Sequence, residues 1–126
     1  MSTSQGVWLI RGARPLGGGP ADVVIRDGLI DSVGDGPAPP GAQVLDAAGL
    51  VALPGLVDLH THLREPGRED AETVASGTRA AALGGFTAVH AMANTDPVAD
   101  TAGVVEQIWR LGRQAGHCDE IGRAHV

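Results

Sequence analysis

The sequence predicts an α/β chain in two parts: a small β unit over residues 1–53 and, from residue 54, the start of a parallel strand-helix architecture. Three observations predict it. Gly and Pro cut the first fifty residues into short β-like runs. After Pro54-Gly55 the pattern becomes strand, loop, helix, strand, loop, helix, the alternation expected of parallel α/β folds. The first of those later strands turns polar toward its carboxyl end, the end at which (β/α)8 enzymes carry their sites.

The elements follow in order. Val7 to Ile10, Ala21 to Arg26, Leu29 to Val33 and Gln43 to Asp46 read as strands, separated by Gly17-Gly18-Gly19-Pro20 and by Gly36-Pro37-Ala38-Pro39-Pro40-Gly41. Asp27-Gly28 joins the second and third. Asp-Gly between alternating apolar residues signals a hairpin, because a type I′ turn needs positive φ at both central positions. The unit is expected to be antiparallel. Leu56 to Leu63 is then a strand, Ala71 to Leu83 an Ala-rich helix ended by Gly84-Gly85, and Phe86 to Met92 a second strand. Asp100 or Thr101 can cap a second helix whose Val104, Val105, Ile108 and Leu111 share one face. Gly116 ends that helix, and His117-Cys118-Asp119 starts a third strand.

Two strand-helix units cannot close a (β/α)8 barrel, which takes about 250 residues, so the chain is expected to be an incomplete piece of one. Its last residues, Ile121-Gly122-Arg123-Ala124-His125-Val126, match one reading frame of a common sequencing adapter. Residues 120–126 are therefore set apart as a non-native tail.

Composition narrows the function classes. With 126 residues, 43% of them hydrophobic and 19% charged, the chain reads as ordinary globular protein rather than disordered. The net charge is -6 and the only aromatics are Trp8, Phe86 and Trp109, a poor match to the basic stripes and stacking rings of a nucleic-acid surface. No apolar run approaches the roughly 20 residues that span a bilayer, and the first residues lack signal-peptide character. A cytoplasmic protein is expected. Cys118 is the only cysteine, which excludes an internal disulfide and a Cys-rich zinc knuckle. Any metal here is held by His and carboxylates.

The chemistry concentrates in Asp58-Leu59-His60-Thr61-His62-Leu63-Arg64. Strand alternation puts Leu56, Asp58, His60, His62 and Arg64 on one face and Val57, Leu59, Thr61 and Leu63 on the other, which is the face for a helix to cover. Two His at i and i+2 lie roughly 7 Å apart at the backbone, and their rings can converge on one ion at about 2.1 Å per bond. The plain alternative is a polar pair without metal. Against it, a barrel interior does not tolerate Asp, two His and Arg without partners, since each unpaired polar group costs a few kcal/mol. Arg64 suits a bidentate pair with a carboxylate ligand, the alternative being an ordinary salt bridge. Asn94 can donate to the same group, or merely cap its loop with Thr95 and Asp96. Asp58 shares the face of the histidines and can orient one as an outer acceptor. His90 reads as a core histidine. Glu65, Arg68, Glu69, Asp70 and Glu72 read as a charged loop entering a helix, where carboxylates favour the macrodipole.

The run Pro54-Gly55-Leu56-Val57-Asp58-Leu59-His60-Thr61-His62-Leu63-Arg64-Glu65-Pro66-Gly67 resembles the opening of the barrel in the amidohydrolase superfamily. His62-Leu63-Arg64-Glu65-Pro66-Gly67, with Ala91-Met92-Ala93-Asn94-Thr95, resembles the dihydroorotase family within it, many members having Pro where Ala93 stands. The resemblance runs from residue 7 to about 119. It implies a metal-dependent (β/α)8 barrel, and a β unit that is half of a small sandwich completed by the far end of a longer chain. It implies zinc, one ion or two, on His60 and His62, with Arg64 and Asn94 on the substrate carboxylate and further ligands and a proton-transferring Asp later in the chain.

The reaction implied is reversible hydrolysis of dihydroorotate to N-carbamoyl-aspartate in pyrimidine synthesis, with the piece alone inactive. The implied partners are that small molecule and, for the whole protein, a second copy of itself or aspartate transcarbamoylase. Two rivals stay open: an allantoinase- or hydantoinase-type ring hydrolase, and a silent scaffold for aspartate transcarbamoylase. An autonomous β binding module is a third, disfavoured by the open edges of half a sandwich.

Overall fold

The computed structural model describes residues 6–122. The chain divides after Pro54 into two compact units, and the described residues form a mixed α/β arrangement of two sheets and two helices.

The first unit holds β1 (Val7–Pro15), β2 (Ala21–Arg26), β3 (Leu29–Val33), β4 (Gln43–Asp46) and β5 (Val51–Ala52). β2 and β3 form the hairpin that Asp27-Gly28 signals: Asp27 has φ 51° and Gly28 φ 81°, both positive as a type I′ turn requires. The expectation of a purely antiparallel unit is corrected, because β4 and β5 both run parallel to β1. The sheet order is β3-β2-β1-β4, so residues 34–42 carry the chain from beyond β2 to the far side of β1. Because β3 and β4 run the same way, that link has to return along the sheet, which a tight turn cannot do. β1 also runs on past Ile10 through an irregularity at Gly12, whose φ is 67° and whose N–H donates to Asp22 Oδ1 at 2.8 Å. Leu9, Ala13, Val23, Val24 and Ala47 are the buried apolar residues of this unit.

The second unit holds β6 (Leu56–Thr61), α1 (Val74–Leu83), β7 (Phe86–Ala91), α2 (Ala102–Ala115) and β8 (Asp119–Gly122). The three strands form one parallel sheet in the order β6-β7-β8. Val89, Ala91 and Ala93 alternate into a core completed by Leu63, Val74, Ala99 and Ile108. The α2 face expected from its spacing is the one used: Ile108 is buried, and Val104, Val105 and Leu111 pack against the core. Gly77 lets α1 approach closely, since a Cβ there would meet Leu63 Cδ2 at 2.5 Å. Among the described residues no helix is long and apolar enough to cross a membrane.

Several boundaries differ from the sequence expectation. α1 starts at Val74 rather than Ala71, because Thr73 and Ser76 form a reciprocal capping box: each backbone N–H donates to the other's side-chain oxygen at 3.0 Å. β6 ends at Thr61, two residues early, where the chain leaves β7's register. Residues 120–122, set apart with the tail, carry the backbone of β8 alongside Val89, His90 and Ala91; residues 123–126 lie outside the described residues.

The helix cover expected over the apolar face of β6 is also corrected. Leu63 is only 2% exposed, but Val57 and Leu59 are 52% and 63% exposed. α1 packs on β7 and α2 on β8, leaving β6 as an edge strand beside them.

Candidate active site

The residues singled out by the sequence gather where β6 and β7 end. Strict alternation does not hold along β6. Asp58 pairs with Val89 and Thr61 with Ala91, so β6 spends one more residue than β7 over that stretch, a bulge around Leu59-His60. Bulges re-aim side chains and are enriched beside active sites. Asp58 fixes this one: its Oδ1 accepts the backbone N–H of His60 at 2.9 Å. The sequence suggests Asp58 as an outer acceptor for a histidine ring. The bond seen here, from Oδ1, goes to the main chain and sets where His60 starts.

His60 and His62 have ring centroids 5.0 Å apart, inclined at 67°. That spacing suits one tetrahedral zinc. With bonds of about 2.1 Å and about 1.1 Å from nitrogen to ring centre, two imidazoles at the tetrahedral angle place their centroids about 5.2 Å apart. The donor chemistry fits as well, since neutral imidazole is a preferred zinc ligand. Among the described residues no third His, Cys, Asp or Glu joins the pair, so they offer two of the four donors a tetrahedral zinc takes.

Arg64 stands three residues past Thr61, at the centre of a γ-turn closed by the Glu65 N–H to the Leu63 carbonyl at 2.7 Å. Its φ is 57°. A non-glycine residue there costs roughly 1–2 kcal/mol, and such strain gathers at functional sites. Its guanidinium makes no ion pair or hydrogen bond among the described residues, so the ordinary salt bridge weighed for it is absent there. Asn94 occupies the matching place after β7: it is three residues past Ala91, the partner of Thr61, and also centres a γ-turn, with the Thr95 N–H on the Ala93 carbonyl at 2.9 Å. Its Oδ1 lies 2.8 Å from His62 Nδ1.

The two loops are stitched together. Met92 N–H donates to the Thr61 carbonyl at 2.8 Å and Asp96 N–H to the Pro66 carbonyl at 3.0 Å. Gly67 sits against Asp96 with φ 106°. Glu65 ties its loop to the helix, its Oε2 accepting the Val74 N–H at 2.6 Å where the macrodipole favours a carboxylate. Both loops contain a cis X-Pro bond, Glu65-Pro66 and Asp96-Pro97. Glu65 plays the helix-start part read for its charged loop, whereas the Gly67 contact and the Asn94–His62 bond are absent from the sequence reading. Only the equal offset of Arg64 and Asn94 from their strand ends hints at the last. His90 is half-buried on β7, and Thr61 Oγ1 is buried without a hydrogen-bond partner among the described residues.

Comparison with known proteins defines the class first. The fold is shared with solved hydantoinases: an L-hydantoinase from Arthrobacter aurescens superposes with TM-score 0.74 at 23% identity, over 84% of this chain and 25% of the other. A D-hydantoinase superposes with TM-score 0.67 at 25% identity, over 95% and 27%. Residues 49–121 match the model of the dihydro-orotase-like family, and the chain belongs to that family. A Streptomyces coelicolor dihydroorotase is 67% identical over 111 residues, 88% of this chain and 26% of that protein. A Mycobacterium tuberculosis dihydroorotase is 58% identical over 113 residues, again 88% and 26%. The chain thus spans about a quarter of the length of these curated relatives.

Proposed function

We infer that this chain is the opening segment of a zinc-dependent cyclic-amide hydrolase acting on dihydroorotate, with β6, β7 and β8 as the first strands of a (β/α)8 barrel and the first unit as half of a small sandwich. The observation that carries the reading is Arg64, without an ion pair among the described residues and held by a strained turn beside the His60-His62 pair. Dihydroorotate carries a ring carboxylate, and a guanidinium held at one place binds a carboxylate bidentately. Asn94 presents its amide NH2 from the adjoining loop to the same carboxylate. Together the two would anchor the ring by its carboxylate. His60 and His62 would hold the zinc, which supplies Lewis-acid polarisation and a water of lowered pKa. The remaining ligands and the group that moves the proton lie in the three quarters of the relatives' length that this chain does not span, so the chain alone is inactive.

The solved hydantoinases favour one second reading, a ring hydrolase that needs no substrate carboxylate. Arg64 separates the two. The cytoplasm is the compartment this reading carries, with self-association and docking on aspartate transcarbamoylase as the assemblies it allows. The test is a splice in which this chain replaces the matching quarter of the Streptomyces coelicolor relative. Turnover of dihydroorotate, lost in Arg64→Ala, supports the reading; turnover of hydantoin or allantoin that is indifferent to Arg64 overturns it in favour of the second.

A further inference from the structure

A histidine can offer a metal only the nitrogen that carries no proton, and which nitrogen that is depends on what the other one touches. His62 Nδ1 lies 2.8 Å from Asn94 Oδ1. An amide oxygen only accepts, so this contact requires the proton on Nδ1 and leaves the lone pair on Nε2. The oxygen is delivered by the neighbouring strand, not by the histidine's own loop: Asn94 is set by its γ-turn, by the Met92 N–H on the Thr61 carbonyl and by the Asp96 N–H on the Pro66 carbonyl. His60, by contrast, is fixed through its backbone by Asp58.

We propose that Asn94 is a positioning residue for His62, its carboxamide oxygen locking the Nδ1–H tautomer and presenting Nε2 to the metal, while its NH2 stays available to the substrate. The inference rests on the reading of His62 as a ligand and adds a second task to Asn94. One planar amide then spans both halves of the site, and a carboxylate that draws in the NH2 end also steadies the oxygen on His62. Partners of this kind are worth 10- to 100-fold in metal affinity.

The test reads the tautomer directly. The metal-free chain, labelled with 15N at histidine, is examined in mildly alkaline buffer, with the His62 signals assigned through His62→Gln and amide dispersion reporting the fold of every variant. The expected result is Nδ1–H for His62 in the parent chain and in Asn94→Asp, which keeps an acceptor oxygen, and Nε2–H in Asn94→Ala. Nε2–H in the folded parent chain, or an unchanged Nδ1–H in Asn94→Ala, overturns the proposal. Where a variant lacks folded dispersion, the same label is read in the metal-free Streptomyces splice. In that splice, competition with a chelator should show zinc held 10- to 100-fold more weakly by Asn94→Ala than by Asn94→Asp. The ligand reading fails separately, by a His62→Ala splice that keeps its zinc while the tautomer stays as expected.

Discussion

Gly67 is where the loops after β6 and β7 touch, and Gly67→Ala measures how much the candidate site depends on that contact. A Cβ built there would stand 2.6 Å from Asp96 Cβ and 2.9 Å from its Cα, with the Asp96 carbonyl oxygen closer still. Real Cβ atoms do not approach backbone so closely, so the loops must separate by several tenths of an ångström. The Asp96 N–H to Pro66 carbonyl bond of 3.0 Å stretches or breaks. Overpacking of this kind costs about 1–3 kcal/mol, and a side chain at φ 106° adds roughly 1–2 kcal/mol. The expected loss is about 2–5 kcal/mol in denaturant unfolding. Gly85→Ala isolates the second cost, because Gly85 has φ 86° but nothing within 4 Å of a built Cβ. Gly67→Ala should therefore exceed Gly85→Ala by about 1–3 kcal/mol, and in the Streptomyces splice it should lower kcat/KM on the order of 100-fold by shifting Arg64 against Asn94. Equal losses for the two glycine variants would refute the close approach.

Other perturbations have definite signs. Arg64→Gly should raise the stability of the chain by about 1 kcal/mol by relieving the positive φ, while raising KM for a carboxylated ring in the splice; a destabilised variant would show that the turn is not strained. Thr73→Ala removes the capping box and should cost about 1 kcal/mol in thermal unfolding followed by helical circular dichroism. Glu65→Ala leaves the Val74 N–H without its carboxylate and should cost about 1–2 kcal/mol, with Glu65→Gln recovering part of it. Thr61→Val removes a buried hydroxyl that has no partner among the described residues, and should leave the melting temperature unchanged or raise it.

What the sequence shows is what is decided locally. Asp27-Gly28 imposes its turn through the φ demand of two residues, and the α2 face follows from the spacing of Val104, Val105, Ile108 and Leu111. Partner choice is not local: nothing in Gln43 to Asp46 says that it will lie parallel to β1, because that depends on how far residues 34–42 reach. Strict alternation along β6 assumes an unbroken ladder, which the bulge at Leu59-His60 interrupts. The His-x-His spacing and Arg64 are legible because the chemistry restricts their residue types. Arg64's γ-turn and the Asn94 oxygen on His62 are not, since both depend on how the ends of β6 and β7 lie beside each other.

The claim on which the rest depends is that His60 and His62 hold a metal. Zinc content of the Streptomyces splice, measured with His60→Ala and His62→Ala alongside, tests it most directly. The account predicts at least one zinc per chain in the parent splice, a marked loss in either single variant, and no dihydroorotate turnover after removal of metal by a chelator, restored on adding zinc back. Full zinc retention in both variants, with each still folded, would contradict it.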